Sequence, residues 1–211
     1  MDGTILDSLN DIVAVLNYTL KKFNLPCVTR AQAQRYIGNG ARELVRLSLG
    51  SNNEYLLDEI LPFYKTEYAK SENGLSSLYE GEEKALLNLK SKGLKLAVLT
   101  NKPHEAALKA NEIFFKKFDF DCVMGQTEQT PLKPNPQAVY AILNKLGVSA
   151  SDCVFVGDGE ADIKTAQNAR LDCISVLWGY RSKEQLLSAG ANRFVKSFAE
   201  LEQEIIGKNF L

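Results

Sequence analysis

The chain has 211 residues, 45% apolar and 24% charged, a composition that fits a folded globular protein and excludes a disordered or fibrous one. Its 25 Lys and Arg against 26 Asp and Glu give a formal charge of −1 with no basic stripe, which argues against nucleic acid as a partner. No apolar run reaches membrane-spanning length and no basic-then-apolar leader opens the chain, so the expectation is a cytoplasmic protein without membrane contact, monomer or homodimer.

In chain order, Asp2-Gly3-Thr4 with Asp7-Ser8 close behind reads as a turn rather than as a regular element. Ser8 then caps a helix over 9–23, on which Ile12, Leu16, Leu20 and Phe23 recur at helical spacing. Leu25-Pro26 ends it, and Thr29 caps a short helix through 36. Gly38-Asn39-Gly40 breaks the chain before an amphipathic segment over 41–49. A fourth helix is predicted over 53–70, with Pro62 as a kink or break. No strand is expected between 9 and 70.

A polar stretch over 71–80 leads into a different pattern. Helix to 91, strand 94–99, helix 103–114, strand 120–124, helix 136–146 and strand 153–156 follow in turn. Helix 161–169, strand 173–177, helix 182–189, a short strand 193–195 and a last helix capped by Ser197 complete the chain. Short apolar runs alternating with helices are the pattern of a doubly wound parallel sheet covered on both faces, an α/β Rossmann-like core. Residues 1–8 and 79–211 would form it, and 9–78 a small inserted all-helical domain with its linkers. Cys27, Cys122, Cys153 and Cys173 lack metal-site or redox-motif spacing and read as reduced, mostly buried thiols.

In such sheets chemistry gathers on the loops after the strands. Thr100-Asn101-Lys102-Pro103 sets a hydroxyl beside a helix start, which suits a phosphate or simple helix capping. Pro131-Leu132-Lys133-Pro134-Asn135-Pro136 fixes a lysine between prolines, either a point charge for a phosphate or a solvated turn residue. Gly157-Asp158-Gly159-Glu160-Ala161-Asp162 gathers three acids at the end of an apolar strand, a set suited to Mg2+, although an acidic N-cap accounts for one of them as well. His104, the only histidine, reads as a surface residue near these loops.

These four stretches, in this order and at strand ends, resemble the four motifs of the haloacid dehalogenase superfamily of phosphohydrolases. Tyr79-x-Gly81, Leu99-Thr100-Asn101-Lys102-Pro103, Lys133-Pro134-x-Pro136 and Trp178-Gly179-Tyr180 resemble its phosphoglycolate phosphatase branch. The resemblance implies an Mg2+-dependent phosphatase acting on a small phosphorylated metabolite through an aspartyl-phosphate. Asp2 would be the general acid and base, Thr100, Asn101 and Lys133 the phosphate contacts, and Asp2, Asp158 and Asp162 the metal site. The helical insert would be the family's cap, with 38–42 nearest the substrate and Arg42 a possible contact. The nucleophilic aspartate of the first motif would stand immediately before Met1, at the end of a central strand also lying ahead of Met1. The expectation is therefore that Met1 is internal to Asp-Met-Asp-Gly-Thr and that the working protein is a few residues longer. The rivals are an inactive truncated pseudoenzyme and a sugar-phosphate mutase or pyrophosphatase of the same superfamily.

Overall fold

The computed structural model describes residues 1–207. Helical periodicity builds the first third of the chain. Helix α1 (Leu9–Lys22) buries Leu9, Ile12, Leu16 and Leu20 on one face, and α2 (Arg30–Tyr36) starts at a Thr29–Gln32 capping box. They are followed by α3 (Gly40–Leu49), a 3-10 turn (Ser51–Leu56) and α4 (Leu57–Lys70). Pro62, expected to kink or break this segment, does not interrupt it: α4 runs on through Pro62, which lies on the exposed side near the helix start. It leaves the Asp58 carbonyl, four residues earlier, without its intrahelical bond, on a side of the helix open to water. The four helices share one apolar cluster, which also takes in Ala106 and Tyr180 from the rest of the molecule.

The remainder alternates as anticipated: α5 (Glu82–Ser91), β1 (Ala97–Pro103), α6 (His104–Ala110), β2 (Cys122–Gln126), α7 (Gln137–Leu146), β3 (Val154–Gly157), α8 (Glu160–Ala169), β4 (Asp172–Val176), α9 (Lys183–Ser188), β5 (Phe194–Val195) and α10 (Phe198–Gly207). Strand β1 begins and ends later than its apolar run suggests; ahead of it Leu96 gives its N–H to the Asp121 carboxylate (2.8 Å) and accepts the Asp121 N–H on its carbonyl (2.8 Å). Thr100, Asn101 and Lys102 lie within β1, in the irregular stretch between its pairings at Leu99 and Pro103, rather than on a loop beyond it. Three cysteines are buried or half-buried and all four are free thiols, but Cys27 is exposed, because the turn after α1 leaves it outside the apolar cluster.

All strand pairs are parallel, yet the sheet is in two pieces, β1 with β2 and β3 with β4 and β5. Between the facing edges of β1 and β3 lies a cavity of about 250 Å3, lined by apolar side chains including Leu86, Leu96, Val98, Val154, Val156 and Phe198. Met1 is buried at its mouth. Every strand points its carboxyl end toward the helical lobe, so the gap between lobe and sheet collects the last residues of β1 and those that follow β3.

Candidate active site

The chain start is a tight loop. The carbonyl of Met1 accepts N–H groups from Thr4, Ile5 and Leu6 at 3.1, 2.9 and 3.1 Å, and Gly3 N–H bonds Leu6 O at 2.9 Å. Gly3 has φ +81°, and a methyl there would stand 2.1 Å from Asp158 Oδ2. Only glycine meets both conditions. The loop thereby lies directly against the end of β3. Thr4 Oγ1 donates to Asp158 Oδ1 (2.8 Å), Tyr180 N–H donates to Asp158 Oδ2 (3.0 Å), and Trp178 Nε1 holds Thr4 O (2.9 Å).

Asp158 is buried, and no lysine or arginine among the described residues is within ion-pair distance of it. Burial and then the neighbouring Asp162 carboxylate push its carboxyl up to about 6. Asp162 is different. One of its oxygens accepts the N–H groups of Asp158 (3.2 Å) and Gly159 (3.0 Å), and the other accepts Lys133 Nζ at 2.6 Å. Burial opposes ionisation there too, but the Lys133 ammonium, with the chain's amino group and the Gly159 N–H, holds the carboxyl below the usual range. Asp162 is thus an N-terminal brace for α8 that also aims Lys133.

Asn101, expected to contact substrate, has its side chain committed elsewhere. Its amide donates to Gly38 O (2.8 Å) and Lys133 O (3.2 Å) and accepts Lys133 N–H (2.7 Å), so it ties the lysine loop to the helical lobe. Thr100 is buried in the pocket wall, where its hydroxyl accepts Lys102 N–H (3.2 Å). Asp2 accepts Ser8 Oγ (2.5 Å) and Lys102 Nζ (2.9 Å) on a single oxygen, Oδ1. Burial pushes the Asp2 carboxyl up, but Lys102, the chain's amino group and Ser8 together hold it below the usual range.

Asp2, Thr100, Lys133, Asp158 and Asp162 all line one pocket of about 100 Å3 between sheet and helical lobe. Gly38, Asn39, Gly40 and Ala41 face it from the lobe, with Ile12, Leu44 and Tyr64 forming an apolar roof. Arg42 stands apart, exposed and paired with Asp58 at 3.0 Å. His104 is half-buried rather than on the surface: its Nδ1 accepts Gly125 N–H (3.2 Å), so it steadies β2 and does not reach the pocket. The sequence reading assigned no place in the site to Thr4, Ser8, Tyr68, Lys102, Tyr180 or Arg181, although Thr4, Ser8, Lys102 and Tyr180 fall inside stretches it singled out; Ser8, expected to cap α1, makes no side-chain cap bond there and turns to Asp2 instead.

The donor set fits Mg2+. Asp158 is a hard oxygen donor with no cation of its own, beside a second carboxylate. Among the described residues no three His, Cys, Asp or Glu side chains form a complete cage. That suits an ion held by one or two carboxylates, with water and phosphate oxygens for the rest, better than a closed structural site.

A parallel α/β core with a helical insertion, and a pocket of acids, lysine and threonine at its strand ends, define a hydrolase class: residues 1–176 match the model of the haloacid dehalogenase-like hydrolases, and the chain belongs to that family. Among similar proteins, the phosphoglycolate phosphatase of Xanthomonas campestris pv. campestris is 30% identical over 182 residues, 86% of this chain and 82% of its own length. That of Colwellia psychrerythraea is 29% identical, covering 95% of this chain and 92% of its own. A crystal structure from Lactobacillus delbrueckii subsp. bulgaricus, described as a candidate phosphoglycolate phosphatase, superposes with a TM-score of 0.89 at 31% identity, over 97% of this chain and 95% of its own.

Proposed function

We propose that the protein is an Mg2+-dependent phosphatase that hydrolyses a small phosphate monoester of the phosphoglycolate kind through an aspartyl-phosphate. The observation that carries this reading is the convergence of Asp2, Thr100, Lys133 and Asp158 on one small pocket. Relatives bearing the phosphoglycolate phosphatase name support the substrate class.

Lys133 and Thr100 would bind the phosphate, and the Lys133 charge would offset the repulsion between an anionic substrate and an attacking carboxylate. Asp158, with Asp162 behind it and the Asp2 carbonyl, would hold Mg2+. Bound there, the ion supplies charge neutralisation on the phosphoryl oxygens. Asp2 would give a proton to the leaving oxygen and then take one from the attacking water. Its resting carboxylate form suits the second task. A phosphate arriving beside it adds negative charge, which favours the protonated form needed for the first. Ile12, Leu44 and Tyr64 offer the leaving group an apolar roof.

The attacking carboxylate in this reading is an aspartate at the position ahead of Met1, on an extended strand. The apolar cavity between β1 and β3 supports it, since two facing parallel edges can accept one further parallel strand and Met1 lies where that cavity meets the pocket.

The test is turnover of phosphoglycolate, a hexose phosphate and pyrophosphate, by the chain as given and by one carrying an apolar strand and Asp ahead of Met1. Phosphoglycolate should be preferred and the extended chain faster. Chelation should abolish turnover and Mg2+ restore it, and Asp158→Asn should lower kcat at least about 100-fold. Absence of phosphatase turnover in both forms would remove the proposal.

A further inference from the structure

Lys102 carries more than a place in the pocket wall. Its side chain is 1% exposed, and its ammonium donates to Asp2 Oδ1 (2.9 Å) and to the Tyr68 hydroxyl while lying 4.5 Å from the Tyr68 ring centroid. A lysine this buried must have its donors used, because an unpaired ammonium in such a site is strongly disfavoured. Both partners matter. Asp2 belongs to the chain-start loop, whereas Tyr68 belongs to α4 of the helical lobe, where it stacks on Tyr64 with ring centroids 5.6 Å apart. Lys102 therefore joins the two walls of the pocket at a single nitrogen.

The manner of its contact with Asp2 is specific. Ser8 Oγ and Lys102 Nζ both donate to Oδ1, and Oδ2 has no hydrogen-bond donor among the described residues. Two donors on one oxygen fix the plane of a carboxylate and leave the other oxygen available. Proton transfer in either direction needs such an oxygen, held within hydrogen-bond reach of the substrate.

We propose that Lys102 is a positioning residue: with Ser8 it locks Asp2 Oδ1 so that Oδ2 handles the proton, and through Tyr68 it makes that alignment depend on the helical lobe being seated on the sheet. The inference rests on the acid and base role given to Asp2 above. It assigns Lys102 no contact with the substrate.

Steady-state kinetics on Lys102→Met and Tyr68→Phe, with phosphoglycolate and Mg2+, test the arrangement. Lys102→Met should lower kcat about 10- to 100-fold with KM changed less than about threefold, the signature of misalignment rather than lost binding. Tyr68→Phe, which removes one oxygen and keeps the stacked ring, should lower kcat by a smaller factor in the same sense. A raised KM with unchanged kcat would make Lys102 a substrate contact and overturn the proposal, as would unchanged kinetics in both variants. Urea midpoints of Asp2→Asn, Lys102→Met and the double variant supply a readout that needs no turnover. The double variant should be no less stable than the worse single one, because each single change strands a buried charge or donor. Additive losses would show that the two side chains do not act as a unit, and would also overturn the proposal. Turnover is read on the chain carrying the strand and Asp ahead of Met1; its absence there counts against the phosphatase reading alone, since the stability cycle still decides whether the contact exists.

Discussion

A methyl group on Gly179 would stand 2.2 Å from Asp158 Cβ and 2.7 Å from its carboxylate. The same carboxylate is crowded from the other side at Gly3, and Gly157 is pressed as closely by Asp162, at 2.3 Å. Three glycines thus form a mould around two acids, which helps the acids hold their orientation with no ion pair on Asp158 among the described residues. Gly179→Ala should displace Asp158 or the segment carrying Tyr180, costing about 1–3 kcal/mol of stability. The same shift should weaken Mg2+ binding. Thermal unfolding and Mg2+ titration would check both, and an alanine variant with wild-type metal affinity would mean that the mould is not needed. At this scale the sequence was partly legible. Clustered acids after an apolar strand announced Asp158 and Asp162, but nothing local separates Asn101 from Lys102. One is a brace between loops and the other the partner of Asp2, and their roles depend on which side of β1 each faces.

At the scale of elements, the helical lobe is held to the sheet by a small number of polar fastenings. Asp11 on α1 accepts Leu75 N–H and the Ser76 hydroxyl, and Asp7 pairs with Ser77 as an antiparallel bridge, so the two strands of the linker run side by side. Tyr180 OH accepts Ser8 N–H at 2.9 Å on the first of them. Arg181 reaches the other side of the lobe. Its guanidinium bonds Glu160 through Nε (2.9 Å) and the carbonyls of Gln34 and Ile37 through its terminal nitrogens (2.7 Å each). Arg181→Ala removes these charge-assisted bonds from a nearly buried site and should lower stability by about 1.5–3 kcal/mol, seen as a lower urea midpoint. It should also open 37–40 to proteolysis at protease levels that leave the parent chain intact. Equal cleavage of both proteins would show that the fastening is redundant. Helix extents were legible at this scale, since a buried stripe every three or four residues and a capping box at Thr29 are local properties. The extent of β1 was not, because it is set against a segment 25 residues away, where Asp121 takes the Leu96 N–H.

Across the whole molecule, Glu82 shapes how stability responds to pH. It is fully buried at the start of α5; Oε2 accepts Tyr79 N–H at 3.1 Å, and Oε1 has no hydrogen-bond partner among the described residues. Burial raises its carboxyl from 4.5 to about 8. The folded state therefore binds this proton more tightly than the unfolded state does. Stability from this group is fully present below about 4.5, falls as pH rises from there, and is wholly lost above about 8, a difference of up to roughly 5 kcal/mol. Glu82→Gln should keep the neutral shape and flatten the decline, so its melting temperature should exceed that of the parent at pH 8–9 and match it near pH 4.5. A parallel fall in both proteins would show that Glu82 is not the group responsible.

What the sequence determined by itself was the kind of molecule: helices first, then alternating strands and helices, with hydroxyl, lysine and acids in order at strand ends. Those features are periodic or sit within a few residues of one another, and local backbone physics governs them. Only the tertiary structure decided that the Asn101 side chain is spent on Gly38 and the lysine loop, and that Lys102 meets Asp2 from a hundred residues away along the chain. Both follow from strand order and from how the helical lobe is seated. No window of sequence encodes these, because they are settled by which surfaces exclude water together once the chain has closed on itself.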